Sequence, residues 1–190
     1  MFKKMLAVTA LLIAGTTAIA EDRLTVGYRL DDFVGSNVSQ KAYTVNYDTR
    51  LNEKLQVGLG LRLIERDSYS ASSNNRLTNR YMLRVNYEIN DYLYVNSAVG
   101  TKKQSLRPTT EFYQTEVGVK YRLNDKWQVR AGYKYREGFN GKVDDYYEGP
   151  AYRVQYTINP RYNVSFQFED LKFLNEDRKR YQVQVQKRLF

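Results

Sequence analysis

The stretch Tyr113-Gln114-Thr115-Glu116-Val117-Gly118-Val119-Lys120-Tyr121-Arg122-Leu123-Asn124-Asp125-Lys126-Trp127-Gln128-Val129-Arg130-Ala131-Gly132-Tyr133-Lys134-Tyr135 decides the fold. Tyr113, Val117, Val119, Tyr121 and Leu123 lie on one phase of a two-residue period. Trp127, Val129, Ala131, Tyr133 and Tyr135 resume it after Asn124-Asp125-Lys126. Period two means strands with one apolar face, and a three-residue polar break between such runs reads as a hairpin loop.

The same turn recurs as Leu51-Asn52-Glu53-Lys54-Leu55, Ile89-Asn90-Asp91-Tyr92-Leu93 and Ile158-Asn159-Pro160-Arg161-Tyr162. The four asparagines lie 38, 34 and 35 positions apart. That period fits one hairpin plus one longer connection per unit, as in an up-and-down barrel rather than a solenoid. Alternating apolar residues flank every turn, for example Tyr43, Val45 and Tyr47 before the first and Leu55, Val57, Leu59, Leu61 and Leu63 after it. With Leu24, Val26, Tyr28 and Leu30 at the start and Tyr181, Val183 and Val185 at the end, about ten strands result. The expected fold class is all-β: a transmembrane up-and-down antiparallel β-barrel. An even strand count with both termini on the periplasmic side suits a bacterial barrel.

The first residues carry Lys3 and Lys4, an apolar run from Met5 to Ala14, and the small-residue ending Ala18-Ile19-Ala20. This is the pattern of a secretory signal peptide: the run is too short to span a bilayer as a helix, and Ala-x-Ala suits signal peptidase. Residues 1–20 are expected to be removed, leaving one domain, residues 21–190. The whole chain has a net charge of +9; losing Lys3 and Lys4 leaves +7. An exported chain does not ordinarily meet nucleic acid, so no nucleic-acid partner is expected. Anionic sugars, nutrients, membrane lipid or lipopolysaccharide are the partners that this charge suits. Cysteine and histidine are absent, while tyrosine occurs 18 times. Tyrosine favours the headgroup level, and membrane strands need only every second residue apolar, which lets a barrel have a mean hydropathy of −0.66.

The longer polar segments, roughly 31–39, 66–77, 103–110, 137–146 and 170–179, read as extracellular loops. Tyr47, Tyr87, Tyr121, Trp127, Tyr156 and Tyr162 then form one aromatic girdle near the short turns. Tyr28, Tyr43, Tyr81, Tyr113, Tyr135 and Tyr152 form the other. A soluble sandwich or lipocalin-like barrel also alternates. The signal segment, the girdles and the C-terminal Phe190 favour the bacterial outer membrane, although Arg188 stands where an aromatic or aliphatic residue is common in the terminal insertion signal.

With the apolar phase facing lipid, the other phase brings fifteen lysines and arginines inward against Asp48, Glu88, Glu116 and Glu169. Aligning the third turn sets Lys120 opposite Arg130, Gly118 opposite Gly132, and Glu116 opposite Lys134. Two like charges directly opposite cost a few tenths to about 1 kcal/mol, which points to a bound anion or a wet pore unless acids from other strands, or water, satisfy both cations. Gly58, Gly60, Gly100, Gly118 and Gly132 face inward on the same phase, clearing space or relieving crowding in a small barrel. Enzymatic activity is not expected: barrel hydrolases, acyltransferases and omptin proteases use histidine, and the chain also lacks a Gly-x-Ser-x-Gly elbow and a phosphate-binding glycine loop. No cofactor is implied, and Asp144-Asp145 reads as a solvated loop rather than a metal site.

Lys120-Tyr121-Arg122 and Lys134-Tyr135-Arg136 on consecutive strands, the Asp144-Asp145 loop and the inward basic tracks between tyrosine girdles resemble the oligogalacturonate-specific porin family. The resemblance covers mainly residues 94–181 and implies outer-membrane transport of acidic oligosaccharides by a monomer. This chain departs from that family's usual twelve strands, which narrows the pore to be expected.

The expected function is therefore a narrow anion-preferring channel for small acidic solutes. Its lumenal anion-binding residues are expected to be Arg62, Arg84, Lys120, Arg130, Lys134 and Arg153. The alternative is a barrel with a closed lumen that serves as a surface-binding, structural or accessory component of an envelope complex; a closed barrel is recognised by lumenal ion pairs that complete a network, and a channel by a continuous wet path.

Overall fold

The computed structural model describes residues 21–35, 38–68, 76–104, 108–139, 146–173 and 176–189. The signal segment 1–20, Asp144-Asp145, Phe190 and the middles of the five longer connections lie outside the described residues. Ten strands follow one another: β1 (Glu21–Phe33), β2 (Val38–Arg50), β3 (Leu55–Ser68), β4 (Arg76–Glu88), β5 (Leu93–Gln104), β6 (Thr110–Arg122), β7 (Trp127–Gly138), β8 (Tyr147–Asn159), β9 (Tyr162–Phe173) and β10 (Glu176–Arg188). Each pairs antiparallel with its sequence neighbours. β1 pairs with β10 from Arg23↔Arg188 to Phe33↔Arg178, so the sheet closes with no free edge. Closure is what a sheet in hydrocarbon requires, because no water is there to satisfy an unpaired edge.

The short turns share one hydrogen-bond design, set by the asparagine. Asn52 Oδ1 accepts from the backbone N–H groups of Lys54 and Leu55 at 2.9 and 2.8 Å, and Asn90, Asn124 and Asn159 repeat this two and three residues ahead. The side chain thus replaces a backbone acceptor inside the loop. Leu51 N donates to Leu55 O at 2.9 Å, enclosing residues 52–54 as the three-residue loop that the sequence pattern indicates. The fourth turn carries Pro160 and adds a register irregularity between Thr157 and Asn159.

The register matches the expected pairing: Tyr121↔Val129, Lys120↔Arg130, Gly118↔Gly132 and Glu116↔Lys134. Apolar side chains stand outward on this register, and Leu59, Val117, Val119 and Phe166 are all exposed. In water so continuous an apolar wall is an aggregation surface; in a bilayer it is the solvated face. Aromatic pairs stand in both girdles, Tyr28 with Tyr43 at 5.5 Å and Trp127 with Tyr156 at 4.7 Å between ring centroids.

The strands run further toward the loop end than the apolar alternation indicates. Asp31 and Phe33 belong to β1, Arg66 to β3, Glu137 to β7, Asp170 to β9 and Lys179 to β10. Ladder pairing continues there with charged partners such as Asp32↔Lys179 and Lys41↔Glu65. The apolar period stops where the strand leaves hydrocarbon, whereas backbone pairing does not. A consequence is that Asp31, read from sequence as the first loop residue, is an inward strand residue.

Candidate functional site

The antiparallel register arranges the inward residues in rungs. One rung runs Asp31↔Arg180↔Glu169↔Ala151↔Gly132↔Gly118↔Tyr94 through β1, β10, β9, β8, β7, β6 and β5. Its charged members, with Arg29, Arg178, Lys134 and Glu116 from adjoining rungs, form a connected layer. Arg29 Nε lies 2.7 Å and Arg180 Nε 3.1 Å from Asp31 Oδ1, and Arg178 Nη1 lies 3.5 Å from Asp31 Oδ2. Arg180 Nη1 reaches Glu169 Oε2 at 2.7 Å, and Lys134 contacts both Glu169 and, at 3.2 Å, Glu116. Asp31, Glu169, Glu116, Arg29, Arg180 and Lys134 are all buried. Charges removed from water this completely persist only when they compensate one another.

On the loop side of this layer the interior becomes aromatic. The Arg178 guanidinium stacks on Phe33 and Phe173 at 3.8 and 3.9 Å, and that of Arg136 lies 3.5 Å from the Phe112 ring centroid. Arg136, Phe112 and Leu171 have no exposed surface. Cation–π stacking helps arginine to enter an apolar layer.

The inward glycines do not leave empty space. A Cβ on Gly118 falls 2.7 Å from Tyr94 Oη, one on Gly132 falls 2.9 Å from the same atom, and one on Gly100 falls 2.9 Å from Phe112 Cζ. Tyr94 therefore lies over Gly118 and Gly132, and its hydroxyl donates to Glu116 Oε1 at 2.8 Å. Gly100, Gly118 and Gly132 thus seat aromatic side chains that help to fill the lumen, and Gly60 makes room for Asn46 and Met82, so these glycines relieve crowding rather than clear a pore.

Toward the short turns lies a polar cavity of about 430 Å³. Its mouth is formed by residues such as Glu53, Lys54 and Pro160 of the turns, and its far end by Lys134, Glu169, Arg180 and Tyr147 of the buried layer. Twelve lysines and arginines line it against five acids. All six residues singled out from the sequence face this cavity, but they divide into two groups.

Three already have internal carboxylates. Arg84 Nη1 lies 3.3 Å from Asp48 Oδ1, and Lys134 bridges Glu116 and Glu169. Lys120 Nζ lies 2.6 Å from Glu88 Oε2. The sequence alignment around the third turn leaves Lys120 and Arg130 in unrelieved opposition. For Lys120 an acid from another strand relieves this: Glu88 of β4, two strands away across β5.

The other three have only neutral partners. Arg62 Nε donates to Thr44 Oγ1 at 3.0 Å. Arg130 Nε and Nη2 donate to Gln128 Oε1 at 3.3 and 3.1 Å, with the guanidinium 5.3 Å from the Tyr94 ring centroid. Arg153 Nε and Nη2 donate to Gln167 Oε1 at 3.0 and 2.5 Å. Among the described residues, Arg62, Arg130 and Arg153 form no ion pair. A second rung, Arg29↔Gln182↔Gln167↔Arg153↔Arg130↔Lys120, sets Arg130 directly opposite Arg153.

Sequence reasoning missed Asp31 and Tyr147 because each lies past the end of the apolar alternation, and Tyr94 because an aromatic residue on the inward phase between Leu93 and Val95 carries no charge to single it out. It also missed the rim cluster in which Glu21 holds Arg23, Arg50 and Arg188 at 2.6, 3.4 and 2.7 Å. That cluster explains Arg188: the residue ties β10 to the first residue of β1 at the seam.

The family model for the outer membrane protein beta-barrel domain matches residues 5–186. No curated protein matches the chain. Among solved structures, the KdgM porin in complex with disordered oligogalacturonate is similar at 12% identity, with a TM-score of 0.49 over 88% of this chain and 99% of that one. The translocator domain of autotransporter NalP from Neisseria meningitidis is 12% identical, with a TM-score of 0.56 over 98% of this chain and 94% of its own. An outer membrane channel from Pseudomonas putida F1 is 9% identical, with a TM-score of 0.52 over 90% and 96% of the two chains. At such identities the likeness concerns the fold. With almost its whole length matched to that family and its apolar face turned outward, this chain belongs to the outer membrane protein beta-barrel domain family, and its place is the bacterial outer membrane.

Proposed function

We propose that the protein is a narrow, anion-preferring channel for small acidic solutes such as acidic oligosaccharides. The observation that carries this reading is the set of arginines 62, 130 and 153, which face a polar cavity without a carboxylate partner among the described residues. A guanidinium held by a neutral amide oxygen keeps its charge available to a passing carboxylate. Charge-assisted hydrogen bonds then replace the solute's water, and their spacing permits release. Arg84, Lys120 and Lys134 share the same wall but act through the field that they shape with Asp48, Glu88, Glu116 and Glu169. Purified protein in a planar bilayer under a salt gradient is expected to conduct weakly, with a reversal potential of anion-selective sign. Cation preference would overturn the reading.

The buried ion-pair layer favours a second reading, a closed-lumen barrel acting as a surface-binding, structural or accessory component of an envelope complex. A folded protein that carries no current in that experiment supports it. In either reading the barrel contacts membrane lipid and lipopolysaccharide, with its short turns and both termini in the periplasm and no catalytic role; as a channel it is a monomer, and as an accessory barrel it has an envelope-protein partner.

Export by a cleaved signal peptide completes the proposal. Mass spectrometry of the membrane-extracted chain is expected to find Glu21 as the first residue. That residue is the one whose carboxylate gathers Arg23, Arg50 and Arg188 at the seam. A mature chain that begins at Met1 would remove the export argument.

A further inference from the structure

We propose that the cavity is a one-sided binding site for a small hydroxylated organic anion with two or more acid groups, entered from the short-turn end and gripped by Arg130 and Arg153. This rests on the anion-preferring lumen proposed above and adds its ligand class, its holding residues and its direction of loading.

The number of acid groups follows from the pairing. Arg130 and Arg153 stand directly opposite on β7 and β8, both facing inward. Each holds one glutamine oxygen through Nε and Nη2, Gln128 for Arg130 and Gln167 for Arg153. The amides satisfy donors without cancelling charge, and each guanidinium retains Nη1 for another acceptor. Two like charges on one rung repel, so a single ligand with two acid groups relieves both at once, whereas one carboxylate leaves a surplus.

The neutral part of the cavity wall sets the rest of the chemistry. Gln155, Gln184, Asn163 and Ser165 line the cavity with neutral donors and acceptors, which match hydroxyl groups and offer little to an apolar body. Size follows from the volume of about 430 Å³, room for a sugar diacid monomer or another hydroxy-polyacid rather than a long chain.

Direction follows from the two ends. Turn residues Glu53, Lys54 and Pro160 form the mouth, while Lys134, Glu169 and Arg180 form the floor. The floor is tied to the grip. Gln167, which accepts from Arg153, donates its own amide to Glu169, and Glu169 accepts from Lys134 and Arg180. Glu169 thus stands as a fixed counter-anion at the end of the site. A ligand that enters from the turns reaches Arg130 and Arg153 before the floor, and one that approaches from the loops meets Arg136, Phe112 and Leu171, which have no exposed surface.

Citrate serves as the probe and glucose as its neutral control, with titration calorimetry on the full-length mature protein in detergent. Citrate is expected to bind and glucose not to. Replacing Arg130→Gln and Arg153→Gln together should weaken citrate at least tenfold, the double Arg→Lys variant should recover part of that loss, and Lys126→Gln in the exposed third turn should change nothing. Circular dichroism confirms that each variant is folded. Failure of the wild type to bind citrate overturns the proposal, as does equal binding by a folded double Arg→Gln variant.

For direction, Asp125→Cys supplies the chain's single thiol, since the sequence has none, and its biotinylated form marks the turn side when streptavidin is added last. Citrate on the marked side should block current at a concentration at least tenfold lower than on the other. Equal block from both sides, or stronger block from the loops, overturns the one-sided site. Citrate binding by a protein that carries no current would sink the channel reading and leave the site standing. A current without citrate binding would do the reverse.

Discussion

Replacing Asp31→Asn is expected to destabilise the barrel by about 3–5 kcal/mol, the cost of removing one partner from a buried charge cluster. Arg29, Arg178 and Arg180 converge on this carboxylate, and neither Asp31 nor Arg29 has appreciable solvent contact. Arg180 retains Glu169, but Asp31 is the only acid within ion-pair distance of Arg29 among the described residues. An asparagine keeps the shape and one acceptor while leaving that guanidinium uncompensated. Urea unfolding in lipid vesicles, followed by circular dichroism, reads the change. Asp32→Asn is the control: Asp32 is exposed on the outer face, opposite Lys179, and a surface change of this kind stays within about 0.5 kcal/mol. Equal losses at positions 31 and 32 would show that the lumenal layer is not what holds the loop end together.

Asp31 also marks the boundary of what the sequence makes legible. The barrel itself is written in period two and in the four asparagine turns, because a strand in hydrocarbon needs an apolar residue at every outward position and a tight loop needs a side-chain acceptor. Those two requirements yield the strand order, the third-turn register and the inward face. The ends of the strands obey neither. Beyond the hydrocarbon the outward face turns polar, so Asp31 and Glu137 look like loop residues although both are paired in the ladder. The site was half legible for a related reason. Inward cations follow from phase alone, but their partners lie on other strands at separations that no local pattern encodes, as with Glu88 and Lys120 or Asp31 and Arg180. Charge excess was visible in the sequence; its division into neutralised and unneutralised arginines required the closed sheet.

That division makes a signed prediction about selectivity. Replacing Arg62, Arg130 and Arg153 together with Gln should lower the anion-over-cation permeability ratio on the order of tenfold, the low end of what a charged cleft contributes to local ion concentration. The three residues are the cavity cations with neutral partners described above, so their loss removes positive potential without stranding an acid. Glu88→Gln should act in the opposite sense. It releases Lys120 Nζ from its partner at 2.6 Å and leaves that cation directly opposite Arg130, which raises the local positive potential. The same change should cost a few tenths to about 1 kcal/mol of stability through like-charge opposition on one rung. Reversal potentials under a salt gradient compare both variants with the wild type. If the triple variant and Glu88→Gln shift the ratio in the same direction, the cavity field does not set selectivity. In that case the ions follow a path lined by other residues.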